Sequence, residues 1–196
     1  MTTSTLTARP ARRSEIDTVP ALCLAAFADE AVTAWVIADP DAPLAAMQDT
    51  FTASLVAAVE AEALIVAVTG DDDTAGASIW LDQDGTSPGN PMSTGDDQMT
   101  RRLALVRSLT TARHPRVPHV YLAAMAARPQ WRGLGAGTAM LRYGLDRARR
   151  LGLPAYLEAS TPQSRKLYAR NGFVDHGPAL PLPDGGPVLQ PMWHDA

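Results

Sequence analysis

Hydrophobic positions recur at two different periods along this chain. Between Glu15 and Asp29, Ile16, Val19, Leu22, Cys23, Ala26 and Phe27 fall three or four residues apart, one face of a helix, with Ser14 placed to cap it. After Pro40 and Pro43 the same spacing returns through Leu44, Met47, Phe51, Leu55 and Val59 up to Glu62, predicting a second, longer helix. The period then changes. Leu64 to Thr69 and Ala77 to Leu81 are short apolar runs on either side of Gly70 and the Asp71–Asp73 triplet, which reads as two strands around a solvated acidic turn. From Asp82 to Asp97 Gly, Pro, Ser, Asp and Asn dominate, so a surface loop is expected. Helical spacing resumes from Met99 to Thr111 through Leu103, Val106 and Leu109.

The second half is more sharply punctuated. Val120 to Ala127 reads as a strand. Leu134 to Leu151 carries an apolar stripe through Leu134, Leu141, Leu145 and Ala148, with Arg147, Arg149 and Arg150 in the last turn and Gly152 as its stop. Ala155 to Ala159 is a strand, Gln163 to Arg170 a short helix ended by Asn171-Gly172, and the chain closes in a hairpin around Asp184-Gly185-Gly186. No internal repeat or linker divides the sequence, so one α/β domain with a mixed sheet is expected over residues 1–196.

Composition narrows the function. With 196 residues, 46% hydrophobic and 19% charged, the chain can bury one sizeable core. No apolar run approaches the roughly 18 residues that span a bilayer, and the stretch up to Arg13 lacks the apolar middle of a secretory signal, so a cytoplasmic protein without a membrane partner is expected. A net charge of −4 supplies no basic field to hold nucleic acid. The single cysteine, Cys23, excludes an intrachain disulfide and fits a reducing compartment; inside an apolar helical face it reads as a small core residue rather than an acyl carrier. His114, His176 and His194 lack metal-ligand spacing, so no metal is expected. Of the 17 basic residues only Lys166 is a lysine, a skew that reads as the compositional habit of a GC-rich bacterial genome.

Chemistry concentrates in Arg132-Gly133-Leu134-Gly135-Ala136-Gly137-Thr138, which follows a predicted strand and opens a predicted helix. Residues without Cβ let backbone N–H groups close around an anion, and the helix N-terminus adds partial positive charge, so a phosphate or pyrophosphate is the natural guest. Arg132 can add a charged hydrogen bond. The spacing fits neither a dinucleotide-fold G-x-G-x-x-G nor a G-x-x-x-x-G-K-[ST] loop.

Pro129 to Gly137 resembles the acetyl-CoA loop of the GCN5-related N-acetyltransferases (GNAT family), with Arg132, Gly135 and Gly137 on the pattern's fixed positions. A second block, Leu157 to Ser160 and Leu167 to Phe173, is similar to the family's strand, short helix and Tyr-x-x-x-Gly-Phe ending. Within the family the likeness leans toward puromycin N-acetyltransferase-like members, through Ala25 to Asp29, the Asp39-Pro40-Asp41 turn and the Pro-rich C-terminal hairpin. The resemblance implies a single domain with a central, mixed, mostly antiparallel sheet flanked by helices, and a splayed strand pair at the acetyl-CoA site, centred on residues 119–173. It implies that the backbone of Met125, Ala126 and Ala127 pairs with pantetheine. The loop Arg132, Gly133, Leu134, Gly135, Ala136, Gly137 and Thr138 would hold the pyrophosphate, and Ser164 stands where relatives carry a cofactor-contacting Asn. Tyr168 becomes the candidate acid that protonates the leaving thiolate, its other reading being an aromatic that packs the short helix onto the sheet.

The base is less determined. Val120 to Ala127 carries no acid; the candidates are Glu158, His119, and Asp29 or Glu30, with a water chain to bulk serving equally well. For the acceptor, a small primary amine with an apolar or aromatic body, the resemblance points to Phe27, Trp35, Trp80 and Trp193, with core packing as the alternative for the tryptophans. Transfer is expected to be direct, in a monomer or homodimer. The competing functions are an acyl-CoA sensor without turnover and a protein Lys or N-terminal acetyltransferase.

Overall fold

The computed structural model describes residues 6–16, 19–27, 30–37, 52, 55–86 and 97–196. Eight strands form one sheet: β1 (Thr7–Pro10), β2 (Leu64–Val68), β3 (Thr74–Gln83), β4 (His119–Ala127), β5 (Ala155–Ala159), β6 (Val174–Asp175), β7 (Leu180–Pro181) and β8 (Val188–His194). Their order is β1-β2-β3-β4-β5-β8-β6, with β7 also on β8, and every pairing is antiparallel except β4 with β5. Every residue of β2 is buried because both its faces are covered, which is why it reads as an apolar run rather than an alternation. Ile65 packs toward α5 (Ala136–Leu151), while Leu64, Val66 and Val68 pack with α1 (Val19–Phe27) and with α3, of which 55–60 are described.

α5 buries the stripe Met140, Leu141, Gly144, Leu145 and Ala148 and stops at Gly152, whose φ of 66° lets its N–H reach the carbonyls of Ala148 and Arg149. A smaller core joins α2 (Ala31–Val36), α4 (Gln98–Arg113) and the β7–β8 hairpin around Trp35, Val36, Leu180, Leu182 and Leu189. The sheet thus has α5 and α6 (Pro162–Arg170) toward one face and α1 to α4 toward the other.

Two irregularities in β4 matter for function. Ile79 pairs with Ala124 but Trp80 with Leu122, leaving Ala123 as a bulge. The parallel pairing with β5 covers only Val120–Leu122 against Ala155–Leu157, after which the strands separate. From Ala123 to Ala127 the edge of β4 toward β5 is therefore open, the splay that the resemblance implied.

Several expectations change. The first predicted helix, Glu15 to Asp29, corresponds to a 3-10 turn (Arg13–Glu15) at its start and to α1, and a further short helix, α2, lies beyond its predicted end. The stretches 38–51 and 87–96, which hold the first part of the second predicted helix and most of the loop, lie outside the described residues. The acidic turn is more than solvated: Asp72 pairs with Arg9 and Arg12, and Asp73 with Arg128, tying the β2–β3 turn to β1 and to the end of β4.

Candidate functional site

The open edge of β4, the Gly-rich loop, the start of α5 and the face of α6 enclose a cavity of about 420 Å³. Met125, Ala126 and Ala127 form one wall, and Arg132, Gly133, Gly135, Ala136, Gly137 and Thr138 the mouth. Gly133 and Gly135 have φ of 75° and 101°, and Gly135 is the N-cap of α5. A Cβ at either would meet nothing within 4 Å, so backbone conformation rather than space demands glycine there. Gly137 is glycine for a different reason, since its Cβ would stand 3.0 Å from Leu167 Cδ2. The first bond inside α5 runs from the Ala139 N–H to the Gly135 carbonyl, so the amides of Ala136, Gly137 and Thr138 have no helical partner and face the mouth's anion position. Arg132 Nε donates to the Ala127 carbonyl at 3.1 Å, which ties the guanidinium to the same rim. Leu134 is 61% exposed and off the wall, so only its backbone can take part. These features fit the pyrophosphate and pantetheine of a coenzyme A thioester.

Tyr168 lines the inner end. It is 7% exposed, packs edge-on against Phe173 with ring centroids 6.0 Å apart, and its phenol is pushed above the ordinary value by burial and by the nearby Glu30 carboxylate. It therefore serves both readings, core aromatic and protonated wall residue. Ser164 also lines the cavity, but its hydroxyl already donates to the Thr161 carbonyl at 2.9 Å and accepts the Thr161 N–H at 3.1 Å in the box that starts α6.

Glu30 and Ser160 complete the inner wall. Glu30 caps α2, Oε2 accepting from Val32 N at 2.9 Å and Thr33 N at 3.2 Å, while Oε1 accepts from Ser160 Oγ at 2.5 Å across 130 residues of sequence. A capping carboxylate is thereby fixed at the inner end of the cavity, on the same wall as Tyr168. The sequence held two of its signals, an acid after the first helix and Ser160 at the end of β5, but nothing local joins positions so far apart.

Glu158 is not on this wall. It lies on β5, half-buried beside the Tyr156 phenol, with Oε2 accepting from Tyr121 Oη at 2.8 Å, and burial raises its pKa. His119 is buried at the start of β4, its Nδ1 donating to the Val117 carbonyl at 2.7 Å and its Nε2 facing His114 Nε2 at 3.0 Å, which leaves it remote from the cavity.

The tryptophan expectation needs correction. Trp80 is fully buried against α5, its indole N–H donating to Ser78 Oγ at 3.1 Å, and Gly144 is glycine because a Cβ there would stand 2.1 Å from the Trp80 ring. Trp35 belongs to the α2–α4 core, with Arg102 stacked 4.6 Å over its ring and also donating to its carbonyl. Neither lines the cavity, because large aromatics go where they bury most area. Trp193 stacks on His176 over β8. The Phe27 side chain lies outside the described positions. Cys23 is fully buried and its thiol is pushed up to about 12, as suits a core residue.

A model of the acetyltransferase (GNAT) family matches residues 24–173. Among solved structures, the chain is similar to the histone acetyltransferase HPA2 and related acetyltransferase from Corynebacterium glutamicum, at 25% identity over 97% of this chain and 96% of that one, TM-score 0.72. It is similar in fold to a mosquito arylalkylamine N-acetyltransferase like 5b, at 19% identity over 96% and 99%, TM-score 0.74. It also matches a Drosophila melanogaster polyamine N-acetyltransferase that catalyses the formation of N-acetylagmatine, at 17% identity over 98% and 100%, TM-score 0.67.

Proposed function

Because this chain belongs to the GNAT family of acetyltransferases, we propose that it moves the acetyl group of acetyl-CoA directly onto the primary amine of a small molecule. The observation that carries this reading is the meeting, in one cavity, of the anion-binding loop, the open edge of β4, a protonated phenol and an oriented carboxylate. The arylalkylamine and polyamine enzymes it resembles in fold act on small amines by name, which supports the acceptor class. Antibiotic-like amines of the puromycin type belong in the same class.

The donor supplies a thioester, held by the Ala136–Thr138 amides and Arg132 at its pyrophosphate and by Met125–Ala127 along its arm. The residues here then have two tasks. An ammonium must lose a proton before it can attack, and Glu30, reached directly or through Ser160 Oγ, accepts it. The departing thiolate must gain one, and Tyr168, whose raised pKa keeps it protonated at neutral pH, donates it. An outward N–H of β4 at Met125 stabilises the developing oxyanion. Cys23 takes no part.

Tyr168→Phe is expected to keep acetyl-CoA affinity and lower kcat on the order of 10²- to 10⁴-fold. Glu30→Gln, which retains an acceptor oxygen for the Ser160 hydroxyl, is expected to lower kcat/KM most at neutral pH and least as pH approaches the amine's own pKa. Calorimetry with acetyl-CoA and initial rates of thiol release measure both; turnover unchanged in both variants would refute this assignment.

A further inference from the structure

Of the described residues that line the cavity, three are charged, Glu30, Arg132 and Arg170, and the chemistry above uses only the first two. Arg170 stands at the end of α6 and is exposed, with no hydrogen bond or ion pair among the described residues. Arg165 of the same helix is by contrast held by Asp175, its Nε donating to Oδ1 at 2.9 Å. The position of Arg170 relative to the anion site follows from Leu167. Leu167 Cδ2 stands 3.0 Å from the place where a Cβ on Gly137 would be, so α6 rests against the first turn of α5, whose free amides face the mouth. Arg170 follows Leu167 by three residues, and such neighbours on a helix have Cβ atoms roughly 5–6 Å apart. Helical side chains lean toward the N-terminus, which carries the Arg170 guanidinium back toward Leu167 and the mouth. A cation in the last turn also opposes the negative end of the helix dipole, but that use needs no cavity beside it. An unpaired guanidinium at the rim of a cavity, next to one anion site, is placed for a second anion.

We propose that Arg170 binds the 3′-phosphate of the donor's adenosine, so that the enzyme selects acetyl-CoA over its dephospho form. Coenzyme A carries two kinds of anionic group, the pyrophosphate and, one ribose away, a phosphomonoester with roughly two negative charges at pH 7. The pyrophosphate is matched by the Ala136, Gly137 and Thr138 amides and by Arg132. The phosphomonoester is left without a partner there, and Arg170 offers the planar fork that phosphate oxygens fit. Each charge of the cavity then has a counterpart in the substrates, the acid at the inner end for the ammonium and one cation at the mouth for each anionic group. The inference rests on the acetyl-CoA reading and deepens it by assigning donor selectivity to a residue outside the Gly-rich loop.

The test is calorimetric binding of CoA and dephospho-CoA, which differ only in that phosphate, to wild type, Arg170→Met and Arg170→Lys. Wild type is expected to bind CoA more tightly by on the order of 10-fold, a preference that shrinks as salt rises, because an exposed pair is screened over roughly 10 Å at 0.1 M. In Arg170→Met the ratio should fall to about one through weaker binding of CoA alone. Arg170→Lys, which keeps the charge and loses the fork, should keep part of the preference. Lys166→Met removes one charge from the same helix at a position that does not line the cavity, and should leave the ratio within about twofold of wild type. Circular dichroism confirms that the variants fold, and Tm reads any contribution to the helix dipole separately. A wild-type ratio near one, a ratio unchanged in Arg170→Met, or the same fall in Lys166→Met would each overturn the assignment. So would an equal loss of both ligands in Arg170→Met, which would put the guanidinium on the pyrophosphate. Binding of neither ligand by wild type would refute the acetyl-CoA reading itself, so the two failures are told apart.

Discussion

Gly144 has no room for even one more carbon, because the Trp80 ring occupies the place where its Cβ would stand. Gly144→Ala therefore forces the largest fully buried side chain of the main core to move. The expected cost is about 3 kcal/mol, a fall in Tm of roughly 6–12 °C, despite the better helix propensity of alanine. Thermal unfolding followed by circular dichroism checks it, and an unchanged Tm would mean that Trp80 does not pack against α5. At His114 the consequence is a pH dependence. Its folded pKa, about 4, lies below the ordinary 6.5, so in that window the unfolded chain binds a proton that the folded one refuses. The stability it confers is complete above pH 6.5 and is lost as pH falls toward 4. Glu158, raised by burial, runs the other way, so the variant comparison isolates the histidine. Between pH 7 and pH 5 the Tm of wild type should fall more than that of His114→Gln; parallel curves would contradict the burial of that ring.

At the scale of elements, function rests on how two strands part and one helix begins. The Gly135 cap of α5 requires φ of 101°, which β-branched residues essentially never adopt, so Gly135→Val should displace the Ala136–Thr138 amides and abolish acetyl-CoA binding in calorimetry. Binding equal to wild type would refute the loop assignment. This element was legible because its chemistry is local: glycine spacing, a preceding strand and a following helix are all consecutive in sequence. The fully apolar run of β2 and the stripe of α5 were legible for the same reason. What failed were positions decided by tertiary pairing. β1 is short and carries Arg9 and Pro10, so no periodicity marks it, and it exists because β2 offers an edge. The bulge at Ala123 leaves no signature among four small residues. α2 was not read at all, since the first predicted helix stops at Asp29 and the capping role of Glu30 appears only with Val32, Thr33 and Ser160 in place. Trp80 could not be told from a pocket residue, since the same bulk suits either burial.

Across the whole molecule, the sheet separates two kinds of work. Toward α5 and α6 lie the main core and the loop proposed to hold the donor; toward the other helices lie Glu30, Ser160 and Glu158, on the side from which the proposed reaction would bring the amine. The gap between β4 and β5 is the passage between them, and Tyr168 stands beside it, buried on one side and on the cavity wall at the other. Direct transfer through that gap predicts a strict stoichiometry. The measurement is the free thiol released from acetyl-CoA, counted against N-acetylated product, for the protein mixed with a panel of small primary amines and with Lys-containing peptides at matched concentration. The account predicts one thiol per acetylated small amine, no thiol release without an amine, and peptides as the poorer substrates. Thiol release that saturates without any amine, or a clear preference for the peptides, would contradict it.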